Sequence, residues 1–266
     1  MHRYALFVAA IAFAAIVAGA YVTSSEVAAH GSQAPAAVGI GEDWHQAVSI
    51  ALGILTLGLA IWTWFAGTST SPKSIAAAAF VVYLADSALG WPGPPLSAGL
   101  AIFHALLGHL FLAALVALAV LTSQSWSREA EPIAAGKWTS LRPLAIATPP
   151  VVLLQITMGA MYRHDVAGIM PHMGGAMLVA LMTLVLSAVV LQNFPGPPPL
   201  RRAATALISL VLAQVCLGIA AFLMLVLNAT GTPAFIFSAS GHVAIGSATL
   251  AASIAMAMQV RHSIRQ

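Results

Sequence analysis

The chain has 266 residues, of which 60% are hydrophobic and only 6% are charged, and its mean hydropathy is +0.94. A soluble domain of this length and composition would expose large apolar patches to water, so an ordinary soluble protein is excluded and an integral membrane protein is predicted. The formal net charge of +3 is small, and it does not by itself indicate a nucleic-acid partner.

The apolar residues fall into eight long runs, which we number as spans 1 to 8 in chain order. A membrane-spanning helix needs about 20 mostly apolar residues, and charged residues or Pro/Gly clusters separate runs of this length. The predicted spans are 4–22, 45–65, 74–90, 98–122, 143–162, 171–192, 203–227 and 236–258. Runs this long and this continuously apolar favour helices over the alternating strands of a barrel.

The basic residues predict how these spans are oriented. With the N-terminus inside, nine of the ten Lys and Arg residues fall on inner segments, and only Arg163 falls outside. This bias follows the positive-inside rule and predicts a multi-pass protein of the cell inner membrane with both termini in the cytoplasm. The excess of basic over acidic residues therefore reflects the membrane topology, and we expect no nucleic-acid partner. Span 1 also fits a cleaved secretory signal, but its similarity to span 5 favours a retained span.

The odd-numbered spans share a pattern near their outer ends. In each of them a glycine stands four positions after a second residue, which is Ala, Asp or Gln. The pairs are Ala15 and Gly19, Asp86 and Gly90, Gln155 and Gly159, and Gln214 and Gly218. Span 1 matches span 5, and span 3 matches span 7, so the repeating unit is four spans long. The fold class predicted is all-α integral membrane, with eight transmembrane helices arranged as two parallel-repeated four-helix bundles.

The even-numbered spans each carry a histidine near the outer end. These histidines are His45, His104, His172 and His242. Chance alignment of Ala/Gly/Leu-rich helices would explain most of the glycines, but it does not explain four ionisable side chains at one depth in a membrane. Because neutral imidazole is an axial ligand of haem iron, we predict one haem site from spans 2 and 4 and another from spans 6 and 8. His109, five residues after His104, is the alternative ligand in span 4.

Only the first of these histidines has an acid three residues upstream, in Glu42-Asp43-Trp44-His45. If the helix begins before Glu42, positions i and i+3 share a face, and Glu42 would stand over whatever His45 binds. A carboxylate there would move protons or stabilise charge at the haem periphery. The alternative is that Glu42 and Asp43 cap the start of the helix, and the sequence leaves both open.

Together, the duplicated eight-span plan, the four histidines, the Glu42-x-x-His45 step and Gln-x-x-x-Gly in spans 5 and 7 resemble heme A synthase. The resemblance covers nearly the whole chain. It implies an oxidoreductase that converts the C8 methyl group of its substrate, heme O, to a formyl group. The substrate haem would lie in residues 1–125 and a heme b in residues 143–266, with 126–142 as a cytoplasmic linker.

The resemblance also implies a role for each site residue. Glu42 would be the catalytic carboxylate, and His45 and His104 would flank the substrate haem. His172 and His242 would ligate the iron of heme b, which relays electrons. Asp86 departs from the family, whose members carry a neutral or amide residue at that place, and its role is open.

Two other functions fit the same histidines. A di-haem b-type cytochrome that only transfers electrons would leave Glu42 without a role, and a transporter built from a parallel repeat would hold no haem. For the heme A synthase-like enzyme, the expected partners are membrane lipid, the haem substrate and an electron donor of unknown identity. Heme O synthase or a terminal-oxidase assembly is a candidate partner, and a homo-oligomer is a further option.

Overall fold

A computed structural model of the chain describes residues 1–29, 36–90, 96–127, 133–134, 140–194 and 198–265, without the side chains of 36–42, 133–134 and 265. Eight long helices, α1 to α8, make up nearly all of the described chain. They are α1 His2–Ala28, α2 Ala36–Phe65, α3 Thr70–Leu89, α4 Ala98–Leu121, α5 Leu141–Arg163, α6 Ile169–Asn193, α7 Pro198–Val226 and α8 Pro233–Ser263. All eight are long and apolar enough to cross a membrane. The prediction of an all-α chain with eight apolar spans is therefore confirmed.

Local sequence explains where some of these helices begin and end. Thr232 precedes α8, and its hydroxyl oxygen accepts a hydrogen bond from the backbone N–H of Phe235 at 3.3 Å, while Pro233 occupies the first helical position. This is a side-chain cap followed by a residue whose missing N–H has no cost at that position. Helix α2 begins at Ala36, nine residues before the predicted start of span 2.

The first four helices form a closed bundle, in which α1 and α3 each pack against both α2 and α4. The last four repeat this arrangement, because α5 and α7 each pack against both α6 and α8. In each bundle the two even-numbered helices therefore stand at opposite corners. The bundles meet where α8 packs against α1 and α4, and where α4 packs against α5.

Small and branched apolar side chains fill the interior of each bundle. Ala5, Val8 and Ala12 of α1 are buried against larger residues of the first bundle such as Leu115, and alanines of this kind let helices approach closely. A second buried cluster includes Leu186, Leu200, Leu207 and Met256. Large apolar side chains on the outside of the bundles, such as Phe65 and Met177, suit contact with lipid rather than water.

At the end of the molecule opposite His45, His104, His172 and His242, the segment after α4 contacts the last turn of α8 and the residues that follow it. A one-turn helix, Gln124–Ser127, carries Trp126, whose ring stacks on His262 with 4.4 Å between centroids. Ile133–Ala134 pairs in parallel with Ile264–Arg265. Most of the predicted linker, 126–142, lies outside the described residues.

Candidate histidine site

The four histidines of the even-numbered helices lie at one end of the molecule and face each other in pairs. His45 of α2 and His104 of α4 have ring centroids 6.2 Å apart and planes inclined at 87°. His172 of α6 and His242 of α8 have centroids 6.0 Å apart and planes inclined at 78°. Each pair therefore spans its bundle from one corner to the opposite one, with closely similar geometry.

In three of the four histidines, Nδ1 contacts an oxygen of the neighbouring odd-numbered helix. His45 Nδ1 lies 3.0 Å from the backbone oxygen of Ala15, and His242 Nδ1 lies 3.0 Å from that of Gln214. Because a carbonyl oxygen can only accept, Nδ1 of these two rings carries the proton. In the neutral ring, Nε2 then holds a lone pair that can bind a metal.

The third contact of this kind involves a carboxylate. His104 Nδ1 lies 2.7 Å from Oδ1 of Asp86, and the side chains are 28% and 18% exposed, respectively. The contact is a close ion pair by distance, but neither atom makes a hydrogen bond of good geometry with any described residue. Asp86 therefore places a negative charge beside the first pair of histidines, whereas the residue at the same place in α7 is the neutral Gln214.

Glutamine amides contact both histidines of the second pair. The amide nitrogen of Gln155 lies 2.9 Å from His172 Nδ1 and 2.7 Å from the His172 backbone oxygen. The amide nitrogen of Gln214 lies 3.3 Å from His242 Nε2. The amide oxygens of both glutamines lack a partner among the described residues. Because the Gln155 amide nitrogen donates to both His172 atoms, Nδ1 of His172 accepts and the proton of the neutral ring lies on Nε2, so a metal at Nε2 would require this proton to leave.

The glycine of each odd-numbered helix makes room for the imidazole that faces it. A Cβ atom added to any of these glycines would press on Cε1 of the ring, at a distance that real Cβ atoms rarely or never show. The distances are 3.3 Å for Gly19 and His45, 3.0 Å for Gly90 and His104, and 2.9 Å for both Gly159 with His172 and Gly218 with His242. The repeated sequence pattern thus corresponds to one repeated contact, in which a glycine and the residue four positions before it hold a histidine.

The separation within each pair suits two imidazoles that share one metal ion. A metal–nitrogen bond would be about 2 Å long and each nitrogen lies about 1 Å from its ring centre, so two imidazoles that shared one metal ion would have centroids up to about 6 Å apart. The described residues contain no group of three or more His, Cys, Asp or Glu that could hold a metal ion. A pair of histidines is sufficient for haem iron, because the macrocycle supplies the other ligands.

Glu42 and His45 lie three residues apart within α2. The alternative that Glu42 and Asp43 cap a helix start is wrong, because the helix begins at Ala36, well before either residue. The side chain of Glu42 lies outside the described part of the chain, whereas Asp43 is exposed.

His109 lies away from both pairs, in the interface between the two bundles. The side chain is only 4% exposed, with Nδ1 2.7 Å from the backbone oxygen of Ala105 and Nε2 2.9 Å from the hydroxyl of Ser247 in α8. In the neutral ring, Nδ1–H donates to the carbonyl, and Nε2 shares the single hydroxyl proton of Ser247 with the backbone oxygen of Val243, which lies 2.9 Å from that hydroxyl. Both ring nitrogens are therefore engaged, whereas the His104 ring faces His45.

Arg163 connects the two bundles at the histidine end, and nothing in the sequence analysis assigned it this role. Its guanidinium donates to the hydroxyl of Thr23 at 2.5 Å and to the hydroxyl of Ser24 at 3.1 Å, both in α1. The run Thr23-Ser24-Ser25, directly after the predicted span 1, was the available signal. Partial burial and the charge of Arg163 lower the pKa of the adjacent His164, although Asp165 opposes this shift.

A comparison with models of known protein families found no match, and a comparison with curated proteins found none either. The function is therefore inferred from the residues of the site and their geometry.

Proposed function

We propose that this chain is a membrane oxidoreductase similar to heme A synthase, which oxidises the C8 methyl group of heme O to a formyl group. The observation that carries the proposal is the presence of two histidine pairs with ring centroids 6.2 and 6.0 Å apart. Among the described side chains, only the first pair has a carboxylate beside it, that of Asp86, and Glu42 stands three residues before His45 in the sequence of α2. Two sites of the same construction thus differ in charge, as expected if one performs chemistry and the other transfers electrons.

In this proposal the two four-helix bundles are a parallel duplication. The support is that the same histidine-to-glycine contact occurs at four helix pairs. In the first bundle it joins α2 to α1 and α4 to α3, and in the second bundle it joins α6 to α5 and α8 to α7. The duplication assigns residues 1–125 to the substrate site and residues 143–266 to the electron-transfer site.

His45 and His104 would hold the substrate haem, and His172 and His242 would hold a heme b. A bound haem supplies the redox chemistry, through an iron whose behaviour its ligands and their partners tune. Glu42 lies three residues before His45 on the same helix, where its carboxylate would accept or return a proton at the edge of the substrate. The backbone oxygen of Ala15 and the carboxylate of Asp86 hold the two imidazoles of this site on Nδ1.

The proposal places the chain in the cell inner membrane with both termini in the cytoplasm. The support is the excess of basic residues on the segments opposite the histidine end. The haem sites would then lie near the outer face. Conversion of a methyl to a formyl group removes four electrons from the substrate, so O2 or another external oxidant would have to accept them, with any electrons needed to activate O2 coming from a donor outside this chain. Heme O would come from a haem-modifying enzyme such as heme O synthase.

The test is to express the chain in cells that supply heme O and to separate the extracted haems by reverse-phase chromatography. We expect heme A or a hydroxylated heme O from the wild type. Glu42→Gln should reduce this product at least about a hundredfold, in the range typical of a lost acid–base group, while the haem content of the purified protein stays the same. Asp43→Asn is the matched control, because the neighbouring acid is exposed, and it should leave the product unchanged.

Absence of any oxidised heme O from the wild type would contradict the proposal. The second candidate function is a di-haem b-type protein that only transfers electrons. It is favoured by the near-identical separation of the two histidine pairs, which does not distinguish a catalytic from an electron-transfer site. In that case a pyridine haemochrome spectrum would report two b-type haems, and Glu42→Gln would change nothing.

A further inference from the structure

One of the four histidines differs from the others in the charge of its partner. The contacts of His45, His172 and His242 are with backbone carbonyls or a side-chain amide, all of which are neutral. Within the described part of the chain, only His104 contacts a carboxylate, that of Asp86, at 2.7 Å. This distance is that of a close ion pair, although the angle at Nδ1–H is not that of a hydrogen bond, and contacts between charged groups at this range are stronger than those between neutral groups.

Packing alone does not account for an acid at this position. A carboxylate within an apolar helix is expensive unless it is paired, and the only described partner of Asp86 Oδ1 is the imidazole of His104. In α7, Gln214 occupies the corresponding place, four residues before Gly218, and holds His242 through its backbone oxygen. A neutral residue therefore suffices to support a histidine in this fold.

Carboxylates next to metal-binding histidines have a known physical effect. By accepting the hydrogen bond from Nδ1–H, the carboxylate fixes the proton on that nitrogen and increases the electron density that Nε2 donates to the metal. Greater donation stabilises the oxidised, more positively charged iron and lowers its reduction potential.

We propose that Asp86 is a positioning residue that makes His104 the stronger iron ligand and gives the haem of the first bundle a lower reduction potential than that of the second. This inference rests on the proposed haem sites. It assigns the difference between the two sites to one side chain of α3, independently of Glu42.

The test is a spectroelectrochemical titration of protein purified from cells that supply heme O. His104→Ala and His242→Ala each remove one haem and so assign the two midpoint potentials. Asp86→Asn should raise the potential of the first-bundle haem and leave the second unchanged. The reciprocal variant, Gln214→Glu, should lower the potential of the second-bundle haem only. A merely structural role for Asp86 would alter thermal stability without changing either potential.

If Asp86→Asn retains both haems and both potentials equal those of the wild type, the inference is overturned. The proposed function would still stand in that case if the wild type produces oxidised heme O. If the wild type binds no haem, both are overturned. If Asp86→Asn loses the first-bundle haem, the haem content and the potential of that haem are measured in Asp86→Glu instead. Retention of that haem at a low potential supports the need for a carboxylate, and loss of the haem again contradicts it.

Discussion

At the scale of single residues, the histidine site depends on four glycines, whose lack of a side chain leaves room for the imidazole rings. Each imidazole occupies space next to a glycine, and the residue four positions earlier on the same helix contacts one of its ring nitrogens. A glycine and its partner therefore fix the position and the tautomer of the ring together. This explains why the two residues recur at a spacing of four, which places them on one face of a helix.

Replacing one of these glycines should displace the histidine that faces it. In Gly218→Ala the new Cβ would lie 2.9 Å from Cε1 of His242, and overpacking of this kind costs about 1–3 kcal/mol. We expect the second-bundle haem to be retained at least about tenfold less tightly, measured as Soret absorbance per protein after dialysis. Gly174→Ala is the control, because no described atom lies within 4 Å of its Cβ position. Equal haem content in the two variants would contradict the role assigned to Gly218.

At the scale of helices, a few polar contacts connect elements that otherwise meet through apolar packing. Arg163, the last residue of α5, donates to two hydroxyls at the end of α1, and Ser240 of α8 donates to the backbone oxygen of Ala20 in the same region at 3.3 Å. Three helices from both bundles are thus joined at the histidine end. This connection holds the two pairs of histidines in a fixed relation.

Removing the guanidinium should loosen this connection. Hydrogen bonds from charged donors contribute about 1.5–3 kcal/mol each, so we expect Arg163→Ala to lower the free energy of unfolding by about 2 kcal/mol. The measurement is the thermal unfolding temperature in detergent. Arg202→Ala replaces an exposed arginine at the start of α7 and should have little effect. An unchanged unfolding temperature for Arg163→Ala would show that the contacts with α1 contribute nothing.

At the scale of the whole molecule, the two bundles meet along α8, which packs against α1 and α4 as well as against its own neighbours. The hydrogen bond between His109 of α4 and Ser247 of α8 lies in this interface, and Ser247 is fully buried. It joins residues 138 positions apart in the chain. The histidine at this place therefore connects the bundles, and this geometry favours His104 over His109 as the haem ligand.

Ser247→Ala tests this assignment. Loss of the hydroxyl leaves Nε2 of His109 without a partner, and an unpaired buried polar group costs about 1–3 kcal/mol. We expect a lower thermal unfolding temperature with unchanged haem content. Ser187→Ala is the matched control, since Ser187 is equally buried but its hydroxyl has no partner among the described residues, so its removal should not destabilise. Loss of a haem in Ser247→Ala would instead indicate that His109 is a ligand.

The sequence alone was sufficient for the number of helices and their approximate bounds. The length and continuity of an apolar run are local properties, and hydrocarbon requires a helix of about 20 residues wherever such a run occurs. The prediction was less accurate at the start of α2, which begins at Ala36 rather than near His45. The polar residues before His45 concealed this extension, because they resemble the cap of a new helix.

Only the tertiary structure decided which atoms meet. The sequence marked Asp86 and the two glutamines as unusual, but their contacts with His104, His172 and His242 depend on how α3, α5 and α7 are rotated against the even-numbered helices. The links of Arg163 to α1 and of His109 to α8 join residues more than 130 positions apart. Composition and spacing determine what can be buried in a membrane, whereas pairwise contacts depend on the packing of whole helices, to which all their side chains contribute.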